Sequence, residues 1–411
     1  MPRTSDLRRL FRSLRSRPSL TIMLGLGIGQ GAVYAATPLI ANLYTPSQVG
    51  VAGLFVAVSG ALGSVGTLRL DQRIAACSNS EIAGVVRTAL IIGPLVAIIG
   101  GLIWSMVLGG GLYAAAYFAV ASAALGLTPL VSQLASRDRD FGSLATSKAS
   151  AGLVQSGAHA FLGTLGFTGL GLLAGYAAGY SSGVAILWRK IVNALKMPAA
   201  NQSLFISGRT LRVCLSFTFA SLMNSLVVSA PPVLLATYYS VAEVGQFSIA
   251  QRIAVVPAGL AVAAIAPVVA ADVGARLRSG ESASPVVRRH LRKWSPVGAV
   301  VLIVPWLVPP ALVQDALGRE WRDVAYFMRA LSPMIATMLV VGPVSQVLML
   351  AGRGRTQLVW DASRCLAVAL VATICAYVGL GATVMVASIV GVVVVYYLIL
   401  ARLVVSLDAP R

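Results

Sequence analysis

The feature that most limits what this chain can become is a series of long apolar runs without a single charge, among them residues 296–313, 366–380 and 384–400. Crossing the hydrocarbon core of a bilayer takes ~20 apolar residues in a helix, because each backbone polar group must find its partner within the segment. Such runs recur between charged or turn-forming clusters. They predict spans near 18–40, 49–68, 84–107, 112–134, 148–165, 168–188, 211–237, 246–270, 294–313, 325–350, 357–378 and 381–404. Only 11% of the 411 residues are charged, where a soluble domain carries about a quarter, so lipid must be the solvent for much of the surface. The expected fold class is all-α: a polytopic membrane protein of about twelve transmembrane helices. The run beginning at Leu20 is too long for the apolar core of a cleaved signal, roughly 7–15 residues, and is read as a retained first helix.

A net charge of +19 would point to nucleic acid in a soluble protein. Its placement points elsewhere. Basic residues collect in the N-terminal tail (Arg3, Arg8, Arg9, Arg12, Arg15, Arg17) and in every second connection, such as Arg69 with Arg73, Arg137 with Arg139, and Arg288 to Lys293. Only Arg252, Arg319, Arg322 and Arg329 fall outside this pattern, so 28 of 32 basic residues lie on one side. Cytoplasmic loops of membrane proteins gather Lys and Arg. The expected topology places both termini in the cytoplasm, and no nucleic-acid partner is expected.

The chain also repeats itself. Residues 43–50 read LYTPSQVG and residues 238–245 read YYSVAEVG, 195 positions on, each in a short outer connection after an odd-numbered span. This predicts a six-plus-six duplication, with an N-terminal bundle over 1–205 and a C-terminal bundle over 206–411. Because each half holds an even number of helices, the two share an orientation, and a substrate would lie between them near mid-membrane.

No catalytic pattern appears: no GxSxG, HExxH or phosphate-binding loop, and no carboxylate pair in an outer connection. Cys77, Cys214, Cys365 and Cys375 form no CxxC, and with two histidines in the chain no metal or other cofactor is expected. What remains is a set of polar side chains inside apolar helices. Such groups are costly in lipid and face a cavity or another helix. Arg252 lies about seven residues into the eighth span; Lys148, Gln155 and His159, at spacings of seven and four, share one face of the fifth. Asn224 lies in the seventh span with Thr218, Ser221 and Ser225, and Gln30 in the first with Tyr34 and Thr37. The candidate substrate-binding residues are Arg252, His159, Gln155, Lys148, Gln30 and Asn224. The plainer alternatives are interhelical hydrogen bonding for the amides and hydroxyls, a buried imidazole for His159, and a snorkelling lysine at 148.

Four segments carry a family resemblance: 38–75, with its LRLDQR end; GLGLLAGYAAGY at 169–180; 244–270, containing Arg252 and Pro257; and 317–355. In order and spacing they resemble the Wzx-type oligosaccharide flippases of the multidrug/oligosaccharidyl-lipid/polysaccharide (MOP) exporter superfamily. The resemblance implies two six-helix bundles opening alternately to each face of a bacterial inner membrane. It implies outward carriage of an undecaprenyl-pyrophosphate-linked oligosaccharide for cell-surface polysaccharide synthesis, with Arg252 as an anion contact. The partners implied are that lipid-linked glycan, the bilayer, and the polymerase and glycosyltransferases of the same pathway. The alternatives are a cation-coupled drug exporter of the same superfamily, which needs a carboxylate inside the membrane, and a membrane polysaccharide polymerase or ligase, which needs a large outer loop. A major facilitator would carry glycines around the Asp and Arg of LRLDQR, and these are missing.

Overall fold

The computed structural model describes residues 18–74, 77, 79–109, 111–197, 208–279, 281–345, 347–351 and 353–406. The basic tail before Pro18 and the expected 205/206 boundary between the bundles lie outside the described residues. Every regular element is helical among those described. In chain order they are α1 (Pro18–Ala35), α2 (Thr37–Leu43), α3 (Pro46–Gly66), α4 (Asp71–Ile74), α5 (Asn79–Leu108), α6 (Gly111–Arg137), α7 (Phe141–Thr164) and α8 (Gly169–Leu195). There follow α9 (Gly208–Tyr238), α10 (Val241–Arg278), α11 (Ser284–Leu307), α12 (Pro310–Leu317), α13 (Val324–Val341), α14 (Val347–Leu350), α15 (Gly354–Tyr377) and α16 (Ala382–Val405).

Among the described residues, ten segments are long and apolar enough to cross a membrane, and α11 with α12, bent by 74° at their junction, make an eleventh. The remaining expected span corresponds to α7, which has the length, at 24 residues, but carries too many polar side chains to qualify by apolarity. Its polar groups are tolerable because neighbouring helices cover them, as described below. Lipid-facing surface is visible elsewhere. On α5, Ile91, Leu95, Ile98, Ile99, Leu102, Ile103 and Met106 are all exposed, Met106 to 83%. That stripe of large apolar side chains pointing outward at helical spacing suits hydrocarbon and not water.

The chain divides into two compact units. One holds the segment ending at Tyr44 together with Phe55–Ser225; the other holds Thr45–Leu54 and everything from Leu226 onward. In the first, α5, α6 and α8 enclose a core of Leu70, Ile74, Ile82, Val86, Leu130, Leu187 and Ile191. In the second, Val273, Val287, Val344, Val347, Leu400 and Val404 fill the equivalent role. Lipid offers no hydrophobic drive for helices to associate, so close packing through small residues takes over. Gly29 of α1 lies against Gly152 of α7, and Gly63 of α3 against Gly126 of α6.

Two local signals set helix ends. Asp140 caps α7 by accepting the Ser143 N–H at 3.1 Å, and Ser240 caps α10 by accepting the Glu243 N–H at 3.2 Å. Helix α10 runs for 38 residues through Pro257 and Pro267. At 1.5 Å per residue that is about 57 Å, well beyond the ~30 Å of hydrocarbon. The α11–α12 break is held by Arg329 of α13. Its guanidinium donates to the carbonyls of Pro305, at 3.4 Å, and Val308, at 3.1 Å, which the break leaves without helical donors. The same group lies 5.7 Å from the Trp306 ring and 6.0 Å from that of Tyr326.

Candidate functional site

Helix α7 organises the polar residues of the first unit. Its face bearing Ser147, Gln155 and His159 meets α8, and the face bearing Ala145 and Gly152 meets α1. The glycines of GLGLLAGYAAGY make the first contact possible. A methyl group at position 175 would collide with the His159 ring, and one at 179 would come within 2.6 Å of the Gln155 Cβ. His159 is fully buried and its Nε2 lies 3.0 Å from the Leu172 carbonyl. A carbonyl oxygen only accepts, so Nε2 carries the proton. The ring stands edge-on to Tyr176 at 4.8 Å. The Tyr44 hydroxyl donates to the His159 carbonyl at 2.9 Å, and burial pushes that phenol above its ordinary pKa. Gln155 is buried beside it. Both residues are therefore set into the α7–α8 contact.

Lys148 and Gln30 are placed differently. By helical spacing Lys148 falls between the α1-facing and α8-facing sides of α7, and it is half-buried. Gly29 packs directly on the Lys148 backbone, so Gln30, the next residue and also half-buried, adjoins the same crossing. The structure thus brings Gln30 and Lys148 to one place on α1 and α7. Asn224 lies exposed on α9. Of its companions in the sequence pattern, Thr218 turns its hydroxyl back onto the Cys214 carbonyl at 2.8 Å, a bond within its own helix.

In the second unit the repeated segments pack on one another. A methyl group at Gly50 of α3 would run into the Val241 carbonyl oxygen of α10, and one at Gly245 into the Pro46 carbonyl oxygen. Gly53 packs on Ser248 one turn further. The α10 face that carries Val241, Gly245 and Ser248 continues at helical spacing to Arg252, which is half-buried.

Sequence reasoning missed two features. Asp361 and Arg364 form a buried ion pair of 2.9 Å, with Gln357 donating to Asp361 at 3.1 Å and the guanidinium 4.3 Å from the Trp360 ring. Asp361 lies two turns inside α15, although its nearness to Arg353 and Arg355 makes it read as a helix-end residue. The i,i+3 spacing of opposite charges directly after an aromatic, Trp360, was the available signal. The second is a ring cluster in the first unit, Phe55, Trp104, Phe118 and Tyr176, with Phe55 5.3 Å from Phe118 and 6.1 Å from Tyr176. These aromatics are spread over four helices, and nothing local in the sequence groups them.

The pattern shared by the polysaccharide biosynthesis protein family matches residues 114–326, just over half of the chain. The chain belongs to that family. No curated protein is similar to it in sequence. Solved structures add the fold. An inward-facing multidrug resistance MATE transporter of the MOP superfamily superposes with a TM-score of 0.62 at 17% identity, over 94% of this chain and 98% of that one. The lipid II flippase MurJ, in an inward closed conformation, gives 0.66 at 10% identity, over 93% and 86%. A MOP superfamily transporter from Pyrococcus furiosus gives 0.62 at 15% identity, over 95% and 93%. This polysaccharide biosynthesis protein is therefore a multi-pass membrane protein with the fold of the MOP exporters.

Proposed function

We propose that this protein is a flippase that carries an undecaprenyl-pyrophosphate-linked oligosaccharide outward across the bacterial inner membrane by alternating access, for cell-surface polysaccharide synthesis. The observation that carries the reading is Arg252, a half-buried cation in the apolar helix α10 of a polysaccharide biosynthesis protein with a transporter's fold. A guanidinium within a membrane helix marks a polar path, and its planar fork suits pyrophosphate oxygens through paired charge-assisted hydrogen bonds. Lys148, Gln30 and Asn224 are the further substrate contacts. Gln155 and His159 serve the site by fixing α7 against α8, because burial withdraws them from any ligand. Both termini lie in the cytoplasm.

A strain lacking the protein should lose its surface glycan and accumulate the lipid-linked precursor on the cytoplasmic side. A precursor that still reaches the outer leaflet, with only glycan chain length altered, would instead assign the protein to polymerisation. For topology, an impermeant thiol reagent on intact cells should label a cysteine at Ser47 and spare one at Ser279.

A second reading, export of a small cation, draws on the buried Asp361, since that chemistry needs a carboxylate within the membrane. Arg364 at 2.9 Å neutralises that carboxylate, which favours the anionic substrate. Uptake of a cationic dye into inverted vesicles, unaffected by lipid-linked glycan, would support the second reading over the first.

A further inference from the structure

Helix α11 carries two kinds of exposed surface on one continuous face. In its first turns Val287 and His290 are buried, and Val286 and Leu291 pack on the core of the second unit. Arg288, Arg289, Arg292 and Lys293 point the other way and are exposed. Beyond Trp294 the exposed residues on that side become apolar: Val297, Val300, Ile303, Val304 and Leu307, with Leu307 at 73%. At helical spacing the basic and apolar groups belong to the same stripe. The apolar part is lipid-facing surface, so the four cations lie where the hydrocarbon ends and head-group phosphates begin. Trp294, at the boundary, occupies the level that membrane proteins favour for Trp.

The local electrostatics of these turns are unfavourable as they stand. Arg288 with Arg292, and Arg289 with Lys293, are like-charge pairs at i,i+4. They lie in the N-terminal half of the helix, where the macrodipole disfavours positive charge, and the first turn holds no acid to offset it. Among the described residues none of the four has an acidic partner. Glu281, the acid nearest in sequence, is engaged by Arg276 at 3.3 Å. An anion from outside the chain would reverse the sign of each of these interactions at once.

We propose that the first turns of α11 bind the head group of an anionic phospholipid, with Arg288, Arg289, Arg292 and Lys293 on the phosphate and the turns from Val297 onward along its acyl chains. A soluble anion or an acidic protein would use the charges but not the apolar stripe that continues them. A phospholipid uses both, and the long basic side chains can reach up to the phosphates while their stems stay in apolar surroundings. The inference is independent of which substrate the protein carries.

Native mass spectrometry of the full-length protein, titrated with phosphatidylglycerol or with phosphatidylcholine of the same acyl chains, tests it. The expected result is tighter binding of phosphatidylglycerol, weakened by added salt. The Arg288→Gln, Arg289→Gln, Arg292→Gln, Lys293→Gln variant should lose phosphatidylglycerol affinity by about tenfold or more, on the scale of several surface cations acting together. Its phosphatidylcholine affinity should not change. Arg319→Gln with Arg322→Gln, which removes exposed cations elsewhere, should leave both lipids bound as in the wild type. Equal binding of the two lipids by the wild-type protein overturns the proposal without recourse to any variant. So does undiminished phosphatidylglycerol binding by the fourfold variant. Displacement of phosphatidylglycerol by inorganic phosphate alone would mark the site as one for a soluble anion, and would overturn it equally.

Discussion

Gly50 and Gly245, equivalent positions of the two repeated segments, face each other where α3 crosses α10: a methyl group on Gly245 would stand 3.1 Å from the Gly50 nitrogen. The contact is reciprocal, since Gly50 rests on Val241 and Gly245 on Pro46, and those two residues are themselves equivalent in the repeat. Two matching segments packing on one another give this exchange of partners, as in any two-fold contact. Backbone carbonyls line both sides, so no side chain can move aside for an added atom. Gly50→Ala and Gly245→Ala should each destabilise the folded protein by about 1–3 kcal/mol, the range of overpacking in a tight core. Thermal unfolding in detergent measures this, with Gly31→Ala, which meets open space, as the control. Unfolding of Gly50→Ala at the wild-type temperature would exclude the close crossing.

Gly175 and His159 make a second coupled pair. Gly175→Ala drives a methyl group into the imidazole, and His159→Ala removes the obstacle along with the side-chain hydrogen bond to the Leu172 carbonyl. Each single change should lower thermal stability. The double variant should be less impaired than the sum of the two, with a coupling of about 0.5–3 kcal/mol as for residues in contact. Simple additivity would show that the ring does not occupy the space Gly175 leaves.

Arg252→Ala should leave the protein inserted and abundant while reducing transport of lipid-linked glycan roughly ten- to a hundredfold, the loss expected for one charge-assisted contact of ~1.5–3 kcal/mol. Arg252→Lys should recover part of the rate, since it keeps the charge but not the planar fork. Transport by the alanine variant at the wild-type rate, measured in reconstituted vesicles at matched protein content, would remove Arg252 from the substrate path.

Asp140 gives a prediction in pH. The Ser143 backbone N–H holds its carboxyl below the ordinary range; burial opposes this, and Lys190, 3.0 Å away, adds to the lowering. A depressed carboxyl favours the fold in its ionised form. Its contribution is therefore complete above the ordinary value of about 3.9 and disappears as pH falls through the lower, folded-state value. Asp140→Asn keeps an acceptor for Ser143 but loses the charge. The variant should unfold below the wild-type temperature at neutral pH, and the gap should close only below about pH 4. Asp140→Ala, which also loses the cap, should cost about 1 kcal/mol more. A gap that widened on acidification would contradict the sign.

The sequence by itself determined the solvent, the class and the outline of this protein. Hydropathy and charge are local properties, and a run such as 384–400 has one stable fate wherever its neighbours lie. The repeat at 43–50 and 238–245 was legible for the same reason. Tertiary structure decided what each polar side chain does. Lys148, Gln155 and His159 share one face of α7 by spacing, yet two of them are sealed against α8 and the third lies at the edge of the α1 crossing. Spacing fixes the direction in which a side chain leaves its helix, but not which helix it meets there. Arg329 shows the same limit: in the sequence it is one of four cations outside the charge alternation, and only the 74° break between α11 and α12 supplies the open carbonyls of Pro305 and Val308 that it serves. Asp361 and Arg364 read as helix-end charges until α15 extends two turns before them and Trp360 and Tyr397 close over the pair. Those contacts join residues far apart in the chain, and a buried charge is affordable only when such contacts exist.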